Sequence, residues 1–176
     1  GPRLMWLRKD WIEELGLEEP KTLEDAFDIV EAFTENRMGT EDGEDPIGLV
    51  CDTDLVGSTS SSYSVDPVFD KFHASPQRWI NQNGEIVYGS LTEETKNALS
   101  YLHELYERGV LDQNFALRAQ NNLRDLVVNG NCGLSVAPVG EKFREEIAGF
   151  LSSVTGEVRQ GQADVMSTMS SYLAAL

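Results

Sequence analysis

The chain has 176 residues, a formal net charge of −16, and 40% hydrophobic against 25% charged residues. That balance belongs to a globular chain of one domain's size rather than to a disordered one. With 14 Lys and Arg against 30 Asp and Glu, no basic face can be assembled to displace counterions from nucleic acid, and an anionic membrane surface repels the domain. No stretch approaches the ~20 apolar residues of a membrane span, and no charged segment followed by an apolar core marks a signal peptide at the start.

Leu4-Met5-Trp6-Leu7 reads as a short strand, followed by a helical turn that ends near Gly16. Thr22 is a good helix N-cap, with Asp25 three residues on as its capping-box partner. Leu23, Ala26, Phe27, Val30 and Phe33 recur at helical spacing and predict a helix to about Thr34. Residues 35–46 are polar and acidic and form a loop. Ile47 to Cys51 is short, apolar and bounded by turn signals, as suits a strand buried on both faces. Asp52 to Ser64 is a strand-to-helix loop rich in Ser, Thr and Asp.

Asn81 to Gly84 is a turn, with Ile86-Val87-Tyr88 extended after it. Thr92 caps the clearest helix, whose apolar stripe is Ala98, Leu99, Leu102, Leu105 and Tyr106 and whose stop is Gly109. A further helix is expected near Gln120–Val128, with Leu123, Leu126 and Val127 inward. Cys132 to Ala137 reads as another buried strand, ended by Pro138. The rest is helical but loosely patterned. Helices alternating with buried apolar strands predict an α/β domain, with 47–51 and 132–137 as interior strands. Cys51 and Cys132 lack metal-type spacing and read as buried free thiols, with a disulfide as the alternative.

Catalytic and metal chemistry find little support. A glycosidase needs two facing carboxyls, but Glu13, Glu14, Glu18 and Glu19 read as a solvated helix face. The loop Glu41 to Asp45 resembles a calcium loop only superficially, since its spacing does not complete the alternating oxygen pattern. His73 and His103 have no partner at ligand spacing. There is no Gly-x-Ser-x-Gly elbow and no glycine-rich phosphate loop. No catalytic residue, metal or cofactor is therefore expected.

A binding constellation remains. Open α/β sheets bind ligands outside the carboxyl ends of their strands. The two buried strands release their chains there, into Asp52–Tyr63 and Pro138–Lys142. The first loop offers Asp52, Asp54, Ser58, Thr59, Ser60 and Tyr63. Hydroxyls and carboxylates beside an aromatic suit a polyol or sugar, which needs edge hydrogen bonds and a flat face to stack on. Trp79 is the second expected platform. Core packing remains the competing reading for both Tyr63 and Trp79. The candidate site is Asp54, Ser58, Ser60, Tyr63, Trp79 and Pro138, with the two aromatics expected on an open concave face.

Leu4-Met5-Trp6-Leu7-Arg8-Lys9-Asp10-Trp11, then Leu15-Gly16-Leu17 and Pro20-Lys21-Thr22-Leu23, resemble the signature of extracellular solute-binding proteins of the family-1, sugar-binding type. Gly84 to Ser90, Glu94-Thr95-Lys96, Ala98-Leu99, Tyr101-Leu102, Leu105-Tyr106, Gly109 and Leu111-Asp112 resemble the same family's middle segment. The resemblance spans roughly residues 4–137. It implies one lobe, the second, of a periplasmic-binding-protein type II-like fold, with a central sheet flanked by helices. The main segment is about 4–140, and about 155–176 resembles late helices returning to this lobe, the other lobe being deleted between them. The implied function is carriage of a small polar solute, an oligosaccharide first and a peptide second, to the membrane permease of an ABC transporter. The implied parent is a monomeric cell-surface lipoprotein. The former hinge side, Trp6 and its neighbours, is expected to expose apolar surface. The degenerate segment Asn36–Asp45, where relatives often carry Asp-x-Asp-Gly-Asn-Gly, argues against a calcium site. Two other classes stay open: a glycoside hydrolase fragment, and an interaction domain without a small ligand.

Overall fold

The computed structural model describes residues 3–40, 44–56, 63–118 and 120–138. Its centre is a three-stranded sheet. Strand β5 (Cys132–Pro138) lies in the middle, with β1 (Arg3–Leu7) antiparallel on one side and β2 (Ile47–Val50) parallel on the other. All four β2 residues are buried, as the unbroken apolar run implies for a parallel strand. The expectation of two interior strands holds for β5 and is corrected for β2. Among the described residues, the sheet continues beyond β2 as an isolated parallel bridge from Leu49 to Leu111. The chain turns away at once after Leu111, with the Phe115 amide donating to the carbonyl of Asp112 at 3.1 Å, so no strand grows there.

Around this sheet stand α1 (Lys9–Glu14), α2 (Leu23–Glu35), α3 (Asp66–Lys71), α4 (Glu93–Glu107) and α5 (Gln120–Val128). The α2 start is built as its sequence requires. The Thr22 hydroxyl accepts the Asp25 amide at 3.1 Å, and the Asp25 carboxylate accepts the Thr22 amide at 3.0 Å. The α2 stripe Leu23, Ala26, Phe27, Val30 and Phe33 is buried, together with Ile29. Thr92 caps α4, and Gly109 ends it at φ +74°, a left-handed conformation that glycine adopts without strain. The α4 stripe is narrower than its sequence implies: Ala98, Leu102 and Leu105 are buried, but Leu99 is exposed.

Helices α2 and α4 run side by side in the same direction. Phe27 meets Tyr101 at 6.2 Å between ring centroids, and further toward the carboxyl end of α4, Arg108 bonds Glu31 and Asp28 at 2.7 Å each. Each is followed by a chain segment running back along the sheet, so the amino ends of both helices lie level with the carboxyl ends of the parallel strands. The main core joins Trp11, Phe27, Val30, Phe33, Leu49, Leu105, Leu134 and Val136. Gly133 allows α2 to approach β5, since a methyl group there would stand 2.6 Å from the Phe33 ring. A separate hairpin, β3 (Trp79–Gln82) and β4 (Glu85–Tyr88), precedes α4. Its turn residues Asn83 and Gly84 both have positive φ, the requirement of a tight two-residue hairpin turn.

Trp6 is buried, at 7% exposure, which corrects the expectation that it opens an exposed hinge face. It lies on β1, whose pairing with β5 carries it into the sheet. The expected returning helices at 155–176 lie outside the described residues.

Cys51 and Cys132 are free and buried, as the strand positions imply. Burial pushes both thiols up to about 12, and for Cys51 the carboxylates of Asp112 and Asp52 add to the effect. Only a thiolate attacks a disulfide reagent, so both cysteines are expected to label slowly in the native protein and fast in denaturant. Rapid native labelling of both would contradict the burial described above.

The ion pairs give stability a pH dependence. Glu31, bonded to Arg108, and Glu24, bonded to Lys71, are held below the ordinary value of 4.5 by those hydrogen bonds. A depressed carboxyl contributes stability above its unfolded value and loses it as pH falls through the folded one. The melting temperature is therefore expected to drop as pH falls below about 4.5. Arg108→Met should flatten part of that drop; an unchanged acid slope would show that the pair contributes nothing.

Candidate functional site

The site is built at the carboxyl edge of the parallel strands. After Val50 the chain runs through Cys51 to Asp52, a buried carboxylate at 4% exposure. Its Oδ1 accepts the Thr53 hydroxyl at 3.1 Å and the Asp54 amide at 3.2 Å, the usual way a short acidic side chain closes a turn. The loop is then zipped shut by backbone bonds: the Asp52 amide to the Tyr63 carbonyl, and the Val65 amide to the Leu55 carbonyl, both at 2.9 Å. Asp54 stands exposed at its outer bend. Ser64, buried, donates to Asp66 Oδ2 at 2.9 Å and joins the loop to α3.

Beside it, the chain leaving Leu111 places Asp112 at the same edge, 2% exposed. Arg118 grips its carboxylate with two hydrogen bonds, Nε to Oδ2 at 2.8 Å and Nη2 to Oδ1 at 3.1 Å. Such two-pronged contacts fix geometry as well as charge. Oδ1 also accepts the Asn114 amide at 3.0 Å. The guanidinium is held charged more firmly than usual, chiefly by this hydrogen bond. The segment 112–118 is thereby locked as one wall of the edge, with Leu117 exposed upon it.

The expected site residues fall into three groups. Asp54 is at the edge and open to solvent. Pro138 closes β5 at the same edge, opposite Arg3 of β1, while Ser58 and Ser60 lie outside the described residues. Tyr63 does not present a ring to an open face: at 6% exposure it packs with Ile47, Val50, Leu123, Val127 and Cys132. The backbone bond between Asp52 and Tyr63 draws that end of the loop onto the sheet. Trp79 is the reverse case. It is 71% exposed and leans on Tyr88 with ring centroids 5.2 Å apart, but it stands on the hairpin and not on the three-stranded sheet.

Asp112 and Arg118 escaped reading as a pair. The available signal was the apolar couple Val110-Leu111 after a helix stop, followed at once by an acid, which repeats the Cys51-Asp52 strand end. Among the described residues, no group of three or more His, Cys, Asp or Glu side chains is placed to hold a metal ion. A shallow groove of about 470 Å³ runs outside α4, between Ser90, Leu91, Lys96, Leu99 and His103. The exposed Asp54 carboxylate at the strand edge can accept hydroxyl hydrogen bonds, and the exposed Trp79 ring on the hairpin can stack a flat apolar face.

No family model matches the chain. It is 25% identical over 130 residues to a polygalacturonan/rhamnogalacturonan-binding protein, YtcQ, of Bacillus subtilis, covering 74% of this chain and 25% of that one. It is 28% identical over 132 residues to the Bacillus subtilis lipoprotein LipO, covering 75% and 26%. In fold it is similar to a solute-binding protein associated with an HMO-binding ABC transporter of Bifidobacterium longum infantis, with a TM-score of 0.64 at 18% identity over 87% of this chain and 32% of that one. It is likewise similar to the Streptococcus pneumoniae ABC-transporter substrate-binding protein FusA in complex with kestose, with a TM-score of 0.59 at 20% identity over 77% and 27%. The chain spans about a quarter of the length of the curated relatives it matches. A polysaccharide-binding protein is thus among its curated relatives, in line with the sequence resemblance, and its α/β fold is similar to part of solved solute-binding proteins.

Tyr63→Ala separates the two readings of that ring. Truncating a core aromatic costs about 3–5 kcal/mol, so a large loss of stability is expected in denaturant titration. A midpoint unchanged from the wild type would return Tyr63 to the solvent-facing role.

Proposed function

We propose that this chain is one lobe of a solute-binding protein of an ABC transporter. In this reading the solute is a carbohydrate, held against the carboxyl edge of the sheet in a cleft that a second lobe completes. The observation that carries the proposal is the agreement of fold and sequence with solute-binding proteins over a quarter to a third of their length. The site residues support it. Asp54, with Ser58 and Ser60 on the same loop and Pro138 at the neighbouring strand end, offers hydroxyl partners, and Trp79 offers a stacking ring. The permease of the transporter is the membrane partner, and the parent form is a lipoprotein, the word in the name of the relative LipO, held at the cell surface. The parent binds as a monomer.

Half a cleft loses the contacts and the water exclusion of its partner lobe, so the test belongs on the two-lobed protein. Titration with neutral and acidic oligosaccharides is expected to raise its melting temperature without forming product; hydrolysis of the sugar would defeat the proposal. Trp79→Ala should weaken binding by roughly 1–3 kcal/mol, the range of an aromatic hot spot. Because the ring is largely exposed, the variant's stability without sugar should change little. If affinity is also unchanged, the hairpin has no part in the site.

A further inference from the structure

A two-stranded hairpin is marginal on its own in water, and most side chains of β3 and β4 are open to solvent. The hairpin that carries Trp79 is nevertheless tied down at its root. On the rung next to the Trp79–Tyr88 pair, the Gly89 amide donates to the Arg78 carbonyl at 2.7 Å. The Gly89 carbonyl in turn accepts the Thr95 hydroxyl at 2.6 Å and the Thr92 hydroxyl at 2.9 Å, both from the start of α4. One residue on, the Ser90 hydroxyl accepts the Gln77 amide at 2.7 Å.

Gly89 is buried, and a methyl group there would overlap the carbonyl oxygen of Ser75. A residue without a side chain is what lets the two backbones meet this closely. Thr95 is 3% exposed. Capping of α4 does not require its hydroxyl, because the Thr92 side chain already accepts the Thr95 amide. The Thr95 hydroxyl instead joins the helix to the hairpin root. The exposed Trp79 ring, leaning on Tyr88, stands one residue beyond that root.

We infer that Gly89 and Thr95 are positioning residues for the Trp79 ring: they fix the hairpin root on α4, so that an exposed aromatic meets its solute already ordered. The inference rests on the reading of Trp79 as a stacking platform given above. A ring ordered before contact loses less freedom on binding, and a site is held in place by the residues behind it as well as by those that touch the ligand. Thr95, being buried, acts through the hairpin and not by contact with the solute.

Thr95→Val removes the hydroxyl and keeps the branched shape, whereas Thr95→Ser keeps the hydroxyl. Hydrogen exchange on the 176-residue chain reads the clamp without any ligand. Thr95→Val is expected to speed exchange of the hairpin amides at 80–89 about tenfold, the effect of losing one buried hydrogen bond. The β5 amides should keep their protection, and Thr95→Ser should match the wild type. Unchanged hairpin protection in Thr95→Val would overturn the inference. Binding reads the consequence, in the two-lobed protein titrated with kestose, the sugar in the FusA complex, and with trigalacturonate, a piece of the polymer in the name of YtcQ. Thr95→Val should weaken binding several-fold in the wild type and add nothing in a Trp79→Ala background, because both changes then remove the same contact. Equal losses in the two backgrounds would show a merely structural role and overturn the inference. If Trp79→Ala weakens binding and Thr95→Val does not, the inference falls while the stacking role of Trp79 stands. If Trp79→Ala leaves affinity unchanged, the stacking role fails and the inference falls with it. If neither sugar binds, the carbohydrate reading fails, and the exchange result alone decides the clamp.

Discussion

Strand β5 is the element on which the rest depends. Among the described strands it is the one paired along its length on both sides, antiparallel to β1 from the start of the chain and parallel to β2 from its middle. A parallel pair cannot be closed by a tight turn; it needs a long crossover that packs over the sheet. The crossovers here are the helices, and each must return its chain to the amino edge before the next strand begins. Helix amino ends and strand carboxyl ends are thereby collected on one side of the lobe. The buried carboxylates Asp52 and Asp112 lie on that side as a consequence of topology.

Burying a carboxylate without partners is expensive. The lobe meets this cost differently at its two strand ends. Asp52 is surrounded by its own loop, with a hydroxyl and a backbone amide donating to one oxygen. Asp112 recruits a cation six residues on, Arg118, through a two-pronged contact. Both solutions order the chain that follows the strand. The segments that leave the sheet here are held walls, which is what a binding face requires if it is to avoid a large ordering cost on contact with a ligand.

The aromatic side chains divide between structure and surface in a way that residue type does not reveal. Tyr63 follows a polar loop and looks like a recognition residue, but the backbone bond to Asp52 carries it into the core. Trp79 begins a four-residue strand of a two-stranded hairpin apart from the main sheet, and among the described residues its ring stays largely uncovered. Trp6 sits on β1 and is buried because β1 joins the sheet.

Most elements were legible in the sequence, because local interactions determine them. The Thr22 and Asp25 capping box, the extent of α4 between its Thr92 cap and Gly109 stop, the Asn83-Gly84 turn and the apolar runs of β2 and β5 are short-range patterns, and the structure forms each of them. The resemblance in the opening motif likewise identified the relatives. What the tertiary structure alone decided concerns neighbours distant in the chain. It made β5 central and β2 flanked by a single bridge, buried Tyr63 and Trp6, and left Leu99 exposed. These outcomes depend on which surfaces meet after the chain has crossed over the sheet, and a side chain's burial is set by that meeting, not by its own polarity or by the residues beside it.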